Sequence, residues 1–239
     1  MNLVFGSHDS CACKGKYPSQ CLCWCWAKTQ DISLRKQYEL GIRWFDLRYS
    51  FDEIYTISHT FSSMYSVQFA LEELISCCTE TNEKIYIRLK RDSTSPSLPE
   101  FGEFLKSITI KLLPLHYYIE SETNKYGQII LYTDSNSTLE DNVPTIWVRS
   151  QLFDTIETWD CHSVEEASKR IHTKSFLENG LPKAIFLDFS SNYPPEIAFE
   201  LLWEKVKDNI KERIKKKQIQ CLVMNHISYD MMKELINVI

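Results

Sequence analysis

Gly6-Ser7-His8-Asp9-Ser10 follows directly on the apolar run Leu3-Val4-Phe5. That run reads as a strand opening into a polar, cysteine-rich segment, so His8 stands where a buried strand meets a loop. Two further strands end in the same way. Ile42-Arg43-Trp44-Phe45 runs into Asp46-Leu47-Arg48, and Ile54-Tyr55-Thr56-Ile57-Ser58 ends at His59. If these three strands are parallel neighbours, His8, Arg48 and His59 emerge at one rim. Two imidazoles facing a guanidinium suit acid–base work on a phosphate ester.

Outward from this stretch, strands and helices alternate. Asp31-Ile32-Ser33 opens a helix carrying Leu34, Tyr38 and Ile42, which Gly41 ends. Val67 to Cys78 reads as a helix with Phe69, Leu71, Leu74 and Ile75 on its apolar face. Lys84 to Leu89 is a strand ending at Lys90. Ser93 to Pro99 is a loop before a helix over Phe101 to Leu113. Gln128 to Tyr132 is a strand, and the polar stretch Asp134 to Pro144 is read as exposed. A weak strand falls between Thr145 and Asp160. Val164 to Leu177 is helical up to Asn179-Gly180, and Ala184 to Phe189 is a strand. Pro195 starts a long helix whose end carries Lys215, Lys216 and Lys217, a solvated cluster suited to the negative helix terminus. Cys221 to Met224 is the last strand, and a short helix follows. Such alternation implies a parallel sheet. About eight units fit a single small, irregular (β/α)8 barrel over residues 1–239 better than an open sheet.

Composition narrows the class. The 239 residues are 44% hydrophobic and 25% charged, as in a soluble globular domain. A net charge of −5 argues against a nucleic-acid partner. No apolar run reaches the ~18 residues needed to span a bilayer. Met1 lies too close to the first strand for a signal peptide, so the nine cysteines are expected as mainly reduced thiols in the cytoplasm.

Gly6-Ser7-His8-Asp9-Ser10, Trp26-Ala27-Lys28-Thr29-Gln30, Gly41-Ile42-Arg43-Trp44-Phe45-Asp46-Leu47-Arg48 and Ser58-His59 together resemble the catalytic X domain of phosphatidylinositol-specific phospholipase C in its bacterial form. The match is close through about residue 92 and thins to strand-level similarity beyond. The resemblance implies that His8 is the general base on the inositol 2-hydroxyl and His59 the acid on the departing diacylglycerol oxygen. It makes Arg48 the phosphate ligand and Asp9 the residue that orients the acid side. Asp160 matches an inositol-binding Asp, and His162 falls where an aromatic residue stacks in relatives. The implied partners are a phospholipid substrate and a membrane surface, and the product is a cyclic inositol phosphate. Relatives that use calcium hold it with acidic residues, whereas the corresponding places here are Asp9, Arg48 and Lys90. No metal and no other cofactor is therefore expected.

Other positions keep two readings. Lys90 and Asp188 either line the site or serve local charge and backbone. Bacterial members support the base with a late-strand Asp; here Asn225 or His226 offers a neutral hydrogen bond instead. That loss motivates the alternative of a catalytically weak inositol-lipid-binding barrel, and a changed head group is a further alternative. A glycerophosphodiesterase barrel ranks below both, because His-Arg-Gly and Glu-x-Asp elements are absent. His116 and His172 are expected on the surface.

The segment Cys11-Ala12-Cys13 to Cys21-Leu22-Cys23-Trp24-Cys25-Trp26 keeps three readings: a zinc site with unusual C-x-C spacing, an irregular loop, or a membrane contact through Trp24 and Trp26. Cysteines beside such a contact would also be positions for S-acylation.

Overall fold

The structure, a computed structural model, describes residues 3–11, 29–30, 32–52, 54–59, 62–81, 83–91, 129–133, 147–148, 152–189 and 194–239. Trp24, Trp26, the remaining cysteines of their segment, the loop at Ser93, the helix from Phe101, His116 and Asp134 lie outside these residues.

Ten strands and five helices are described. They are β1 (Val4–Ser7), α1 (Leu34–Glu39), β2 (Ile42–Asp52), β3 (Ile54–His59), β4 (Ser62–Ser66), α2 (Val67–Thr81), β5 (Ile85–Arg91) and β6 (Ile129–Thr133). The chain continues through β7 (Trp147–Val148), β8 (Asp154–Glu157), α3 (Val164–Thr173), β9 (Lys183–Leu187), α4 (Pro195–Lys215), β10 (Cys221–Met224) and α5 (Tyr229–Ile236). Eight strands run parallel in the order β7-β6-β5-β2-β1-β10-β9-β8. The row curls. Trp44 on β2 and Phe186 on β9 meet edge-to-face with ring centroids 5.1 Å apart. They sit three places apart in the row, and strands about 4.8 Å apart in a flat sheet would hold them roughly 14 Å apart.

The two faces of each strand alternate as a curled parallel sheet requires. Phe5, Phe45, Leu47, Ile85, Ile87, Ile185 and Leu222 point outward into the core shared with the helices, among them Leu34, Leu71, Leu74, Leu202, Val206 and Ile210. Trp44, Tyr86, Ile130, Ala184, Phe186, Cys221 and Val223 fill the inside. Gly6 is required here. A Cβ on it would lie 2.8 Å from Trp44 Cε3 and 2.9 Å from Val223 Cγ2, so the missing side chain admits the indole.

The expected closed (β/α)8 barrel is met in part. Its strand order and parallel sense hold, but among the described residues no pairing joins β7 to β8. β7 offers only two residues and β8 four for a closing ladder. The expectation that the strand ending at His59 runs parallel to its neighbours is corrected. β2 continues past Arg48 to Asp52, and β3 returns antiparallel to it, with Asp52 opposite Ile54 and Tyr49 opposite Ile57. β4 then pairs antiparallel with β3.

Local corrections have local causes. Ile42 belongs to β2, because Gly41 at φ +95 turns the chain out of α1. Phe69 is 52% exposed, since α2 buries Val67, Ala70, Leu71, Leu74, Cys77 and Cys78 instead. α3 stops at Lys174, which takes an extended ψ of 129°, well before Gly180. The weak strand resolves into β7 and β8. Cys11, Cys77, Cys78, Cys161 and Cys221 are all buried and in no disulfide. Burial pushes the Cys78 thiol up to about 12 and that of Cys161 up to about 11, so both stay protonated at neutral pH. His172 is exposed, as expected, and no described helix is long and apolar enough to cross a membrane.

Gly6→Ala is expected to cost about 1–3 kcal/mol by overpacking the indole. Denaturant titration should show a lower midpoint with an unchanged slope.

Candidate active site

Inward-pointing residues change character along the strands. Above the apolar plug come Asp46 and Arg48 on β2, Arg88 and Lys90 on β5, Asp188 just past β9 and Asn225 just past β10. Arg48 and Lys90 are register partners, as are Asp46 and Arg88. All lie at the carboxyl ends of the strands, where loops can present chemistry on a rigid frame. His8 follows β1 and its backbone N–H donates to Met224 O at 3.0 Å, which pins it beside β10.

The His8 ring is buried and almost wholly surrounded. Asn225 Oδ1 lies 2.9 Å from Nδ1. An amide oxygen only accepts, so Nδ1 carries the proton and Nε2 keeps its lone pair. Arg48 Nη2 donates to that lone pair at 3.0 Å. Three carboxylates ring the imidazole: Asp9 Oδ2 at 3.5 Å from Nδ1, Asp46 Oδ2 at 3.4 Å and Asp188 Oδ2 at 4.0 Å from Nε2. Arg48 Nε lies 2.5 Å from Asp9 Oδ1, and its side chain stays 20% exposed, so part of the guanidinium faces the mouth.

Asp46 has no exposed surface. Arg88 Nη1 reaches its Oδ2 at 3.4 Å, and Arg88 is itself buried. Ser10 reinforces the same point, accepting Asp46 N–H on its hydroxyl at 2.8 Å and donating its own N–H to Asp46 O at 2.7 Å. Asp188 faces two ways. Its Oδ2 faces His8, while Oδ1 accepts from the N–H of Thr158 at 3.1 Å and from its hydroxyl at 3.2 Å. Lys90 Nζ lies 5.7 Å from the ring of Trp159, which is 58% exposed on the loop after β8.

The structure thus gathers His8, Asp9, Arg48, Asp188 and Asn225 and sets Lys90 beside Arg48 in register. It does not bring Asp160 or His162 to the imidazole. Asp160 pairs with Arg170 of α3, whose hydrogen bond holds its carboxyl below the usual carboxylate range. The His162 N–H donates to Glu166 Oε2 at 2.8 Å at the start of α3. His226 follows Asn225 at φ +47 and its side chain borders a cavity between α4 and α5. His59 ends β3, two residues past the pairing with Tyr49, so the hairpin returns it toward the rim; its side chain lies outside the described residues. Asp46 as a charge partner, Arg88 and Gln30 are additional to the sequence reading. A period-two signal was available for the first two: Trp44-x-Asp46-x-Arg48 and Tyr86-x-Arg88-x-Lys90 share a face.

His8, Asp9 and Asp46 are the group of described residues whose ligand atoms lie within 4.8 Å of one another. Arg48 and Arg88 already occupy two of those carboxylates, so a divalent ion fits only if the guanidiniums withdraw. The larger described cavity, 1090 Å³, lies at the opposite ends of the strands, between α3, α4 and the start of β9. Its arginine, Arg213, is committed to the end of α3 through Ile171 O at 2.9 Å.

No family model and no curated protein matches the sequence. Solved structures do match. The phosphatidylinositol-specific phospholipase C of Listeria monocytogenes superposes with a TM-score of 0.77 at 19% identity, over 100% of this chain and 93% of that one. This chain has that enzyme's fold. A point mutant of the Staphylococcus aureus phosphatidylinositol-specific phospholipase C gives 0.68 at 20% identity, covering 98% and 90% of the two chains. A second S. aureus structure, described as concerning that enzyme's membrane binding, gives 0.66 at 19%, covering 98% and 91%.

Arg88→Met should leave the buried Asp46 charge unanswered and cost about 3–5 kcal/mol, and Arg88→Met combined with Asp46→Asn should recover much of it. Thermal or denaturant unfolding of the double-mutant cycle checks this.

Proposed function

We propose that the chain is a phosphodiesterase of the phosphatidylinositol-specific phospholipase C type, acting on an inositol phospholipid at a membrane surface. One observation carries the reading: a buried imidazole with a fixed Nε2 lone pair, ringed by carboxylates and touched by a partly exposed arginine. The curled parallel sheet that presents it has the fold of enzymes that carry this activity in their names.

In this mechanism His8 Nε2 takes the proton from the inositol 2-hydroxyl, and that oxygen attacks phosphorus in the same molecule. Asp46, Asp188 and Asp9 stabilise the resulting imidazolium. Arg48 turns its exposed edge to the non-bridging oxygens, a match its planar fork suits. The phosphorus–oxygen bond to diacylglycerol breaks, and the departing oxygen takes a proton from His59, the role its family resemblance gives it. The products are a cyclic inositol phosphate and diacylglycerol. Each acid–base partner contributes about 10²–10⁴-fold. The substrate's own hydroxyl is the nucleophile, so no serine or cysteine nucleophile is needed. Calcium has no part in the scheme, because Asp9 and Asp46 are answered by guanidiniums rather than left for a cation. Lys90 and Trp159 stand at the mouth to meet the head group. Asp160 and His162 join them only by releasing Arg170 and Glu166. Trp24 and Trp26 remain the proposed membrane contacts, and the chain is proposed to act in the cytoplasm, bound peripherally.

³¹P NMR of the protein with phosphatidylinositol in mixed micelles containing EGTA tests the scheme. A cyclic inositol phosphate resonance is expected, reduced at least 100-fold in His8→Ala. Its absence in the parent protein, or its appearance only with added calcium, would overturn the reading.

Asn225→Asp gives His8 Nδ1 a charged partner in place of a neutral one. The acid limb of the pH–rate profile should move upward, because a carboxylate holds the imidazolium to higher pH. An unmoved limb would separate Asn225 from the base.

A further inference from the structure

Two residues flanking the imidazole hold left-handed backbone conformations without being glycine: Asp9 at φ +44 and His226 at φ +47. Such a conformation is unfavourable for an L-residue, because Cβ crowds the following carbonyl oxygen. Each is held from the same side, by Thr29 and Gln30. The Thr29 hydroxyl donates to Asp9 O at 3.0 Å, and Thr29 O accepts the His226 N–H at 2.7 Å. Gln30 Nε2 donates to His8 O at 2.8 Å and to Met224 O at 3.1 Å, and its Oε1 accepts the Ile227 N–H at 3.3 Å. Gln30 has no exposed surface.

These five bonds reach only two turns, residues 8–9 and residues 224–227. The first turn carries the base. The second carries Asn225, the acceptor that fixes the base's tautomer. Met224 O receives both the His8 N–H and the Gln30 amide, so one carbonyl ties backbone and clasp together. A buried amide with all its partners satisfied fixes its neighbours more tightly than an apolar side chain can. Gln37 is a natural contrast. It is equally buried, and its amide also donates to two carbonyls, Ser10 O at 2.7 Å and Ile32 O at 2.8 Å. Neither of those carbonyls belongs to the turn that bears Asn225.

We infer that Gln30, assisted by Thr29, is a positioning residue that holds His8 against Asn225 and so selects the imidazole tautomer that can act as a base. Gln30 touches no reacting atom; it acts through the two backbones. The inference deepens the proposed phospholipase reading and rests on it for the rate, but not for the tautomer.

The test compares Gln30→Met with Gln37→Met in the full chain. Both remove a buried amide of similar size. Protein labelled with ¹⁵N-histidine reports the His8 tautomer by NMR, and initial rates on phosphatidylinositol micelles give kcat and KM. In the parent and in Gln37→Met, His8 should be protonated at Nδ1 alone. In Gln30→Met it should populate both tautomers, with kcat lowered about 10- to 100-fold and KM unchanged within a factor of two. Gln30→Asn keeps the amide but shortens its reach; it should give the same signature, and it serves if the methionine variant does not fold. A single Nδ1–H tautomer in a folded Gln30 variant, or an equal kcat loss in Gln37→Met, would overturn the inference. An inactive parent that shows the expected tautomer change would instead overturn the phospholipase reading and leave the clasp standing.

Discussion

Asp46 carries its charge at the centre of a sheet interior from which water is excluded, and that charge has to be answered where it stands. Arg88 answers it from the neighbouring strand in matched register, and Ser10 answers its backbone from the loop. Together they fix the height at which the inside of the sheet changes from apolar to polar. Below lie Trp44, Tyr86, Phe186 and Val223. Above lie His8, Arg48, Lys90, Asp188 and Asn225. The imidazole sits against a layer of fixed charges whose positions are set by strand register rather than by loop conformation. Such prior orientation is what an acid–base site needs to avoid reorganising during reaction.

The same constraint explains why the site was partly readable. His8, Asp9 and Arg48 stood out because charged and imidazole groups at the ends of apolar runs have few other reasons to be there. Their meeting in space follows from the parallel order of β1 and β2, which alternation implied. Asp46 and Arg88 were harder to see. In sequence, Lys90-Arg91-Asp92 reads equally well as a solvated charge cluster, and Arg88 stands just before it. Only the two-residue period of a strand shows that Arg88 shares an inward face with Tyr86 and Lys90. Gln30 lies in a stretch that carries the family resemblance, but nothing local points to its role, because its partners lie up to 197 positions away.

Misplacements had equally physical origins. Asp160 lies next to a helix start with an arginine one and a half turns on, and a nearby guanidinium is a stronger local partner than a distant head group. Hydrophobicity alone puts Phe69 on the core face of α2, but the helix turns the smaller Ala70 and Cys77 inward and leaves Phe69 52% exposed. The hairpin of β2 and β3 escaped because the length of a strand is set by what pairs with it, and that partner came from the next stretch of chain.

One topological feature bears on how the protein is made. Among the described residues β1 pairs with β2 and β10, and His8 finds Asn225 217 positions along the chain. Contacts this distant in sequence form late, since a very long loop must close before they return any free energy. During synthesis the base therefore emerges 217 residues ahead of its acceptor and waits without it until β10 leaves the ribosome. The nascent chain carries an imidazole with neither tautomer nor position defined, and competence arrives in one step with the seating of β10.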